Sequence, residues 1–231
     1  IVGAQVVQQA VAGRRRRDGR AEPRPERRAE AVRQPKYRRA LPEDRRGDLV
    51  DATLKCLAEH GHAGVSVRRI AAQAGVSAGL VNHHFDGIEA LVAAAYEKLS
   101  IDLLATVMSR VEQESEPRRR LSAYFAAIFS EEVLDPGLLK IWVVFWSLLP
   151  HTEPLKAIQK RMWSDYRGSI ERELAACPAA DSAFDPAAVA LGLAALMDGL
   201  WLQGCLDPGS YRPGDAIALC EGFTDAALAR R

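Results

Sequence analysis

The sequence predicts an all-α protein of nine helices, and three observations carry that prediction. From Pro42 onward no stretch alternates polar and apolar residues between turn signals, so there is no strand signature. Apolar residues recur at helical spacing instead. Prolines stand at the segment starts Pro42, Pro117, Pro136, Pro154, Pro186 and Pro213, the position where a helix tolerates them best. The 231 residues, 48% hydrophobic and 26% charged, have ordinary globular composition and room for one or two domains. Collagen-like, mucin-like and wholly disordered classes are excluded.

The first helix opens at Pro42-Glu43-Asp44, where acids favour the helix dipole, and stops at Gly61. Leu49, Val50, Ala52, Thr53 and Leu57 form its inner stripe. The second has Ser66 as N-cap, buries Val67, Ile70, Ala71 and Ala74, and ends at Gly75. The third has Ser77 as N-cap and runs to about His84. The fourth starts near Gly87 and carries Ile88, Leu91, Val92, Ala95, Tyr96, Leu99, Leu103, Val107 and Val111 at helical spacing. Five more follow: Pro117 to Phe129, Pro136 to Pro150, Pro154 to about Ala176, Pro186 to about Gln203, and Pro213 to near Arg230. Residues 41–86 thus form a three-helix unit and residues 87–231 a six-helix body, with no internal repeat.

The net charge of +1 conceals an asymmetry. Residues 1–40 hold 12 Lys/Arg against 4 acids, whereas the remainder is acidic overall. The stretch Arg14 to Arg39 is rich in arginine and proline and nearly free of apolar side chains, so it is expected to be disordered. Two readings stand: a basic arm for nucleic acid, or an extension outside the native coding sequence, since the chain begins at Ile1 and Val32 suits an alternative bacterial start.

Cys56, Cys177, Cys205 and Cys220 are too few and too scattered for a disulfide framework or a zinc knuckle, which favours a reducing compartment. The longest strongly apolar run, Leu138 to Leu149, is 12 residues and contains Lys140, against about 20 for a membrane span. No secretory signal is read at the N-terminus. The expectation is a cytoplasmic protein without a membrane partner.

The informative stretch is Ser66 to Phe85, SVRRIAAQAGVSAGLVNHHF. Two short helices meet at Ala74-Gly75-Val76-Ser77, where glycine supplies a left-handed closure, Val76 plugs the turn and Ser77 caps the next helix. This is a helix-turn-helix pattern, whose second helix enters the major groove of DNA. Groove reading needs small residues at the tip and polar ones a turn later. Ser77, Ala78 and Gly79 meet the first need, and Asn82, His83 and His84 the second. Ser66, Leu80 and the cations Arg45, Arg46, Arg68 and Arg69 complete the candidate DNA-binding set. Ser66 and Ser77 are caps rather than nucleophiles, His83-His84 is not expected to hold metal, and no cofactor is implied.

Leu49 to Leu91, with the signature IAxxAGVSxGLVxHHF followed by Glu89-Ala90-Leu91, resembles the DNA-binding domain of the TetR family of bacterial transcription regulators. The segments Ile141–Pro150 (IWVVFWSLLP) and Leu193–Gln203 (LAALMDGLWLQ), and the opening QPKYRRALPEDRRGDLVDATL, resemble that family's choline-responsive BetI subgroup. The resemblance implies a TetR-like fold, a homodimer and a repressor released from a palindromic operator by a small molecule. It further implies that His83 faces the groove and that His84 packs or meets a phosphate. Two positions depart from the family pattern: Asn82 stands where tyrosine is frequent, and Ile88 where a phosphate-neutralising lysine is frequent. Backbone N–H groups at the start of the fourth helix would then serve.

In the body, Trp142, Trp146, Trp163 and Trp201, with Phe145 and Tyr166 as neighbours, read either as core or as an aromatic cage. Tryptophan faces attract quaternary ammonium cations such as choline, the suspected effector. Asp198 lies on an otherwise apolar helix and either balances a cationic ligand or bonds a neighbouring helix. The segment Ala187 to Gln203 is apolar nearly all round and, with Ala216 to Leu228, resembles the family's four-helix dimer interface; Gly192 and Gly199 are expected to permit close approach. The alternatives are a regulator of efflux or catabolic genes with another ligand, or a helical ligand-binding protein that does not bind DNA.

Overall fold

The computed structural model describes residues 42–180 and 184–229. The arginine-rich segment 1–40, with both of its readings, lies outside the described residues. Nine α-helices follow one another, with no strand among the described residues: α1 (Pro42–His60), α2 (Val67–Ala74), α3 (Ala78–His84), α4 (Gly87–Val111), α5 (Pro117–Ile128), α6 (Pro136–Leu148), α7 (Glu153–Ala175), α8 (Pro186–Leu206) and α9 (Pro213–Leu228).

The starts have local causes. Glu116, Asp135 and Asp185 each accept two backbone N–H bonds from the first turn of the helix that follows, with Pro at the first position of α5, α6 and α8. The sequence reading errs in three details. The α6 helix stops at Leu148 and a short 3₁₀ turn, Leu149–His151, continues it. The α7 helix begins at Glu153 rather than Pro154. The α8 helix runs past Gly204 to Leu206, and Gly204 admits the Tyr211 hydroxyl: a Cβ there would lie 2.8 Å from it.

The α1, α2 and α3 helices pack around Leu49, Leu54, Leu57, Ile70 and Val81. The long α4 helix packs against α1, α5 and α7, while α6 packs against both α1 and α8. The body core is built on Tyr124, Phe125, Phe129 and Phe145, all fully buried. A bidentate pair from Arg120 to the buried Glu173 (2.6 and 2.7 Å) ties α5 to α7, and Arg118 reaches Glu221 and Asp225 on α9.

By length and composition α8 is apolar enough to cross a membrane, but only 33% of its most apolar window is buried in this chain. It packs on α6, α7 and α9 and leaves Leu191, Leu202 and Leu206 exposed. Leu219 and Phe223 of α9 are exposed as well. The two glycines of α8 play different parts. A Cβ at Gly192 would meet the Phe223 ring at 2.7 Å, so this glycine admits α9 of its own chain, whereas Gly199 has open space before it.

Candidate nucleic-acid interface and ligand cavity

The Ser66 side chain accepts a hydrogen bond from the Arg69 N–H at 3.3 Å, and the Ser77 side chain accepts one from the Leu80 N–H at 3.3 Å. Gly75, at φ 67° and ψ 32°, closes α2 in the left-handed region, and the Val76 N–H then donates to the Ala71 carbonyl at 2.9 Å. Val81 and Phe85 anchor α3 in the core. That anchoring turns Ser77, Ala78, Gly79, Asn82 and His83 outward, with His84 and Leu80 half-buried. A Cβ at Gly79 would touch nothing closer than the Ser77 hydroxyl at 3.9 Å. The fold itself therefore does not require glycine there, which leaves room for an external surface to approach.

The cations are more occupied than the sequence suggests. Arg46 donates to the His84 carbonyl at 3.0 Å, and its guanidinium lies 4.2 Å from the centre of the Phe85 ring. It thus fastens α1 to the end of α3. Arg69 donates to the Gly64 carbonyl, and Arg45 lies 3.7 Å from Asp48. Arg68 is exposed on α2. The α4 helix starts at Gly87, φ 84°, without a side-chain cap from Asp86.

In the body, α4, α5, α6, α7 and α8 line a cavity of about 360 Å³ that opens to solvent. Trp142 and Trp146 from α6, Trp163 and Tyr166 from α7, and Asp198 and Trp201 from α8 all line it. Phe145 does not. It is fully buried behind the wall, its ring 5.0 Å from that of Tyr96, so its predicted ligand role is corrected to core packing. Sequence reasoning missed Tyr96, Tyr124, Gln159, Met197 and Asp165, which also line the cavity. Helical periodicity marks their helix faces but not which faces meet.

The rings form a connected wall: Tyr96 stands edge-on to Trp142 (5.7 Å), and Trp142 to Trp201 (6.2 Å), with Trp146 at 6.5 Å from Trp142. The indole N–H groups of Trp142 and Trp201 are buried without an acceptor among the described residues. Tyr96 donates to Gln159, and Tyr124 shares a hydrogen bond with Ser169 at 3.1 Å.

Asp198 is the electrostatic centre. Burial alone pushes its carboxyl up to about 6, and Tyr96, Tyr124 and Tyr166 all feel its charge. No hydrogen bond or ion pair engages it among the described residues, so the helix-bonding alternative is not realised there. The lining contains two carboxylates, Asp165 and Asp198, and no lysine, arginine or histidine. Such a site favours a cation over an anion.

Comparison with known proteins places this geometry in a family. Residues 49–95 match the family described as bacterial regulatory proteins, tetR family, and residues 117–229 match the BetI-type transcriptional repressor C-terminal family. The HTH-type transcriptional regulator BetI of Burkholderia thailandensis is 34% identical over 194 residues, covering 82% of this chain and 96% of that protein. A transcriptional regulator from Pseudomonas aeruginosa superposes with a TM-score of 0.75 at 39% identity, covering 81% of this chain and 92% of the other. A regulator from Saccharomonospora viridis, solved in complex with choline, superposes at 0.69 with 15% identity, covering 82% and 100%. The last likeness is one of fold.

Proposed function

The chain belongs to the TetR family of bacterial transcriptional regulators, and on that premise we propose that it is an operator-bound homodimeric repressor released by a quaternary ammonium cation of the choline type. The relatives are DNA-binding regulators rather than enzymes. The observation that carries the effector is Asp198, a carboxylate without a partner among the described residues, inside a cavity walled by indoles and lined by no cation among them. Choline has a trimethylammonium head that offers no N–H donor, so ring faces and a nearby charge hold it best. Choline bound to the Saccharomonospora regulator supports the same reading.

DNA would be read by the exposed face of α3, with Arg68 and the N–H groups opening α4 as phosphate partners. The exposed leucines of α8, with Leu219 and Phe223 of α9, would pair with a second copy and present two reading helices to a palindrome. Helices α4 and α6 line the cavity and also pack on α1, so a ligand has a contiguous route to the reading head. Acting on DNA, the protein would work in the cytoplasm. Calorimetry with choline and with its neutral isostere 3,3-dimethylbutanol tests the effector. Choline heat without isostere heat is expected, and equal weak heats for both would overturn it.

A further inference from the structure

Choline alone leaves much of this cavity unfilled. Its seven non-hydrogen atoms, even at the roughly 30 Å³ that one water takes in the liquid, fill no more than about 210 Å³. The cavity offers about 360 Å³. The surplus has a definite character. Beyond the indole wall and Asp198, the α4 side is aliphatic: Leu103, Leu104, Val107 and Met108 line it, joined by Ile128 of α5. It reaches the surface, because the cavity-lining Ile101 and Trp163 are 51% and 46% exposed.

We propose that the effector is a quaternary ammonium ion carrying a neutral apolar tail of about four carbons or more. Its cationic head lies against Trp142, Trp146, Trp201 and Asp198, and its tail runs along the aliphatic face of α4 towards Ile101 and Trp163. The proposal rests on the cationic effector reading and deepens it. Nothing on the α4 wall carries charge; the second carboxylate of the lining, Asp165, stands on α7 two residues past Trp163 and is exposed, where the tail's path meets solvent. An apolar chain covers Leu104 and Met108 and removes the exposed Ile101 and Trp163 from water. Each methylene so buried strengthens binding by roughly fourfold.

Tryptophan fluorescence titration of the full chain with choline, butyrylcholine and the neutral 3,3-dimethylbutyl butyrate separates the parts. Butyrylcholine is expected to bind at least tenfold more tightly than choline, and the neutral ester more weakly than either cation. Ala105→Trp, at the solvent edge of the tail path, is expected to bring butyrylcholine to within threefold of choline. Binding of choline as tight as that of butyrylcholine, or equal losses for both in Ala105→Trp, would overturn the tail while leaving the cation reading intact. Neutral ester binding as tightly as butyrylcholine would overturn the cation reading, and the proposal with it.

Discussion

The indole rings of Trp142 and Trp201 meet edge to face, 6.2 Å between centroids at 69°, and so join α6 to α8 across one corner of the cavity. Both are more than nine-tenths buried, so either ring truncated to alanine would cost the fold roughly 3–5 kcal/mol. Trp146, half-buried and 6.5 Å from Trp142, is the safer probe of the wall. Trp146→Ala is expected to weaken choline binding about 2- to 30-fold by calorimetry, the worth of one cation–π face. Unchanged affinity would make that ring mere packing.

Asp198 gives the cavity a pH dependence. Its carboxyl titrates near 6 in the folded chain against 3.8 in the unfolded one, so the folded state holds the proton more tightly between those values. Its contribution to stability is complete below about pH 4 and is lost as pH rises through 6. Asp198→Asn is therefore expected to stabilise the ligand-free protein at pH 7.5, by on the order of 1–3 kcal/mol in chemical denaturation. The same change should abolish onium binding. In the unsubstituted protein, choline affinity should fall about tenfold per pH unit below 6.

The reading face predicts a separation of binding from folding. Asn82→Ala and His83→Ala remove exposed side chains, so thermal melting should hold. Operator affinity should fall by roughly 1–3 kcal/mol for each base-edge interaction removed. Gly79→Leu should do worse, since only an external surface needs that space. Mobility shifts at fixed salt read these effects; full specific affinity in all three would remove α3 as the reading helix.

Exposed side chains on α8 and α9 predict the assembly. Leu219→Asp places a charge where 54% of a leucine is exposed, so the fold should persist. Sedimentation is expected to show a monomer in place of a dimer, with palindromic binding abolished. A dimer that survives the change would direct attention to another face.

The fold was largely legible because its punctuation is local. Pro117, Pro136, Pro186 and Pro213 each open a helix, and Ser66, Gly75 and Ser77 cap or close the reading pair as their chemistry requires. The role of Gly204 within α8 was not legible, because it depends on a residue beyond the helix: Tyr211, whose hydroxyl donates to the Leu200 carbonyl at 2.6 Å. At the cavity, the tryptophans stood out as broad ring faces clustered in the body, and Asp198 as a carboxylate on an apolar helix, costly to bury unpaired. Tyr96 and Gln159 were hidden, since their pairing spans 63 residues and depends on how α4 and α7 meet. That Arg46 also engages Phe85 and the end of α3 was hidden too, because charge alone does not reveal such a contact.

The most direct test of the central claim couples the two sites in one tube. Fluorescence anisotropy would follow the full-length protein bound to labelled DNA from upstream of its own gene, titrated with choline, butyrylcholine and 3,3-dimethylbutanol. The cations are expected to lower DNA affinity at least tenfold, about 1.4 kcal/mol of coupling, while the neutral alcohol leaves it unchanged. Specific DNA binding that is indifferent to the cations, or that falls equally with the neutral alcohol, would contradict the account.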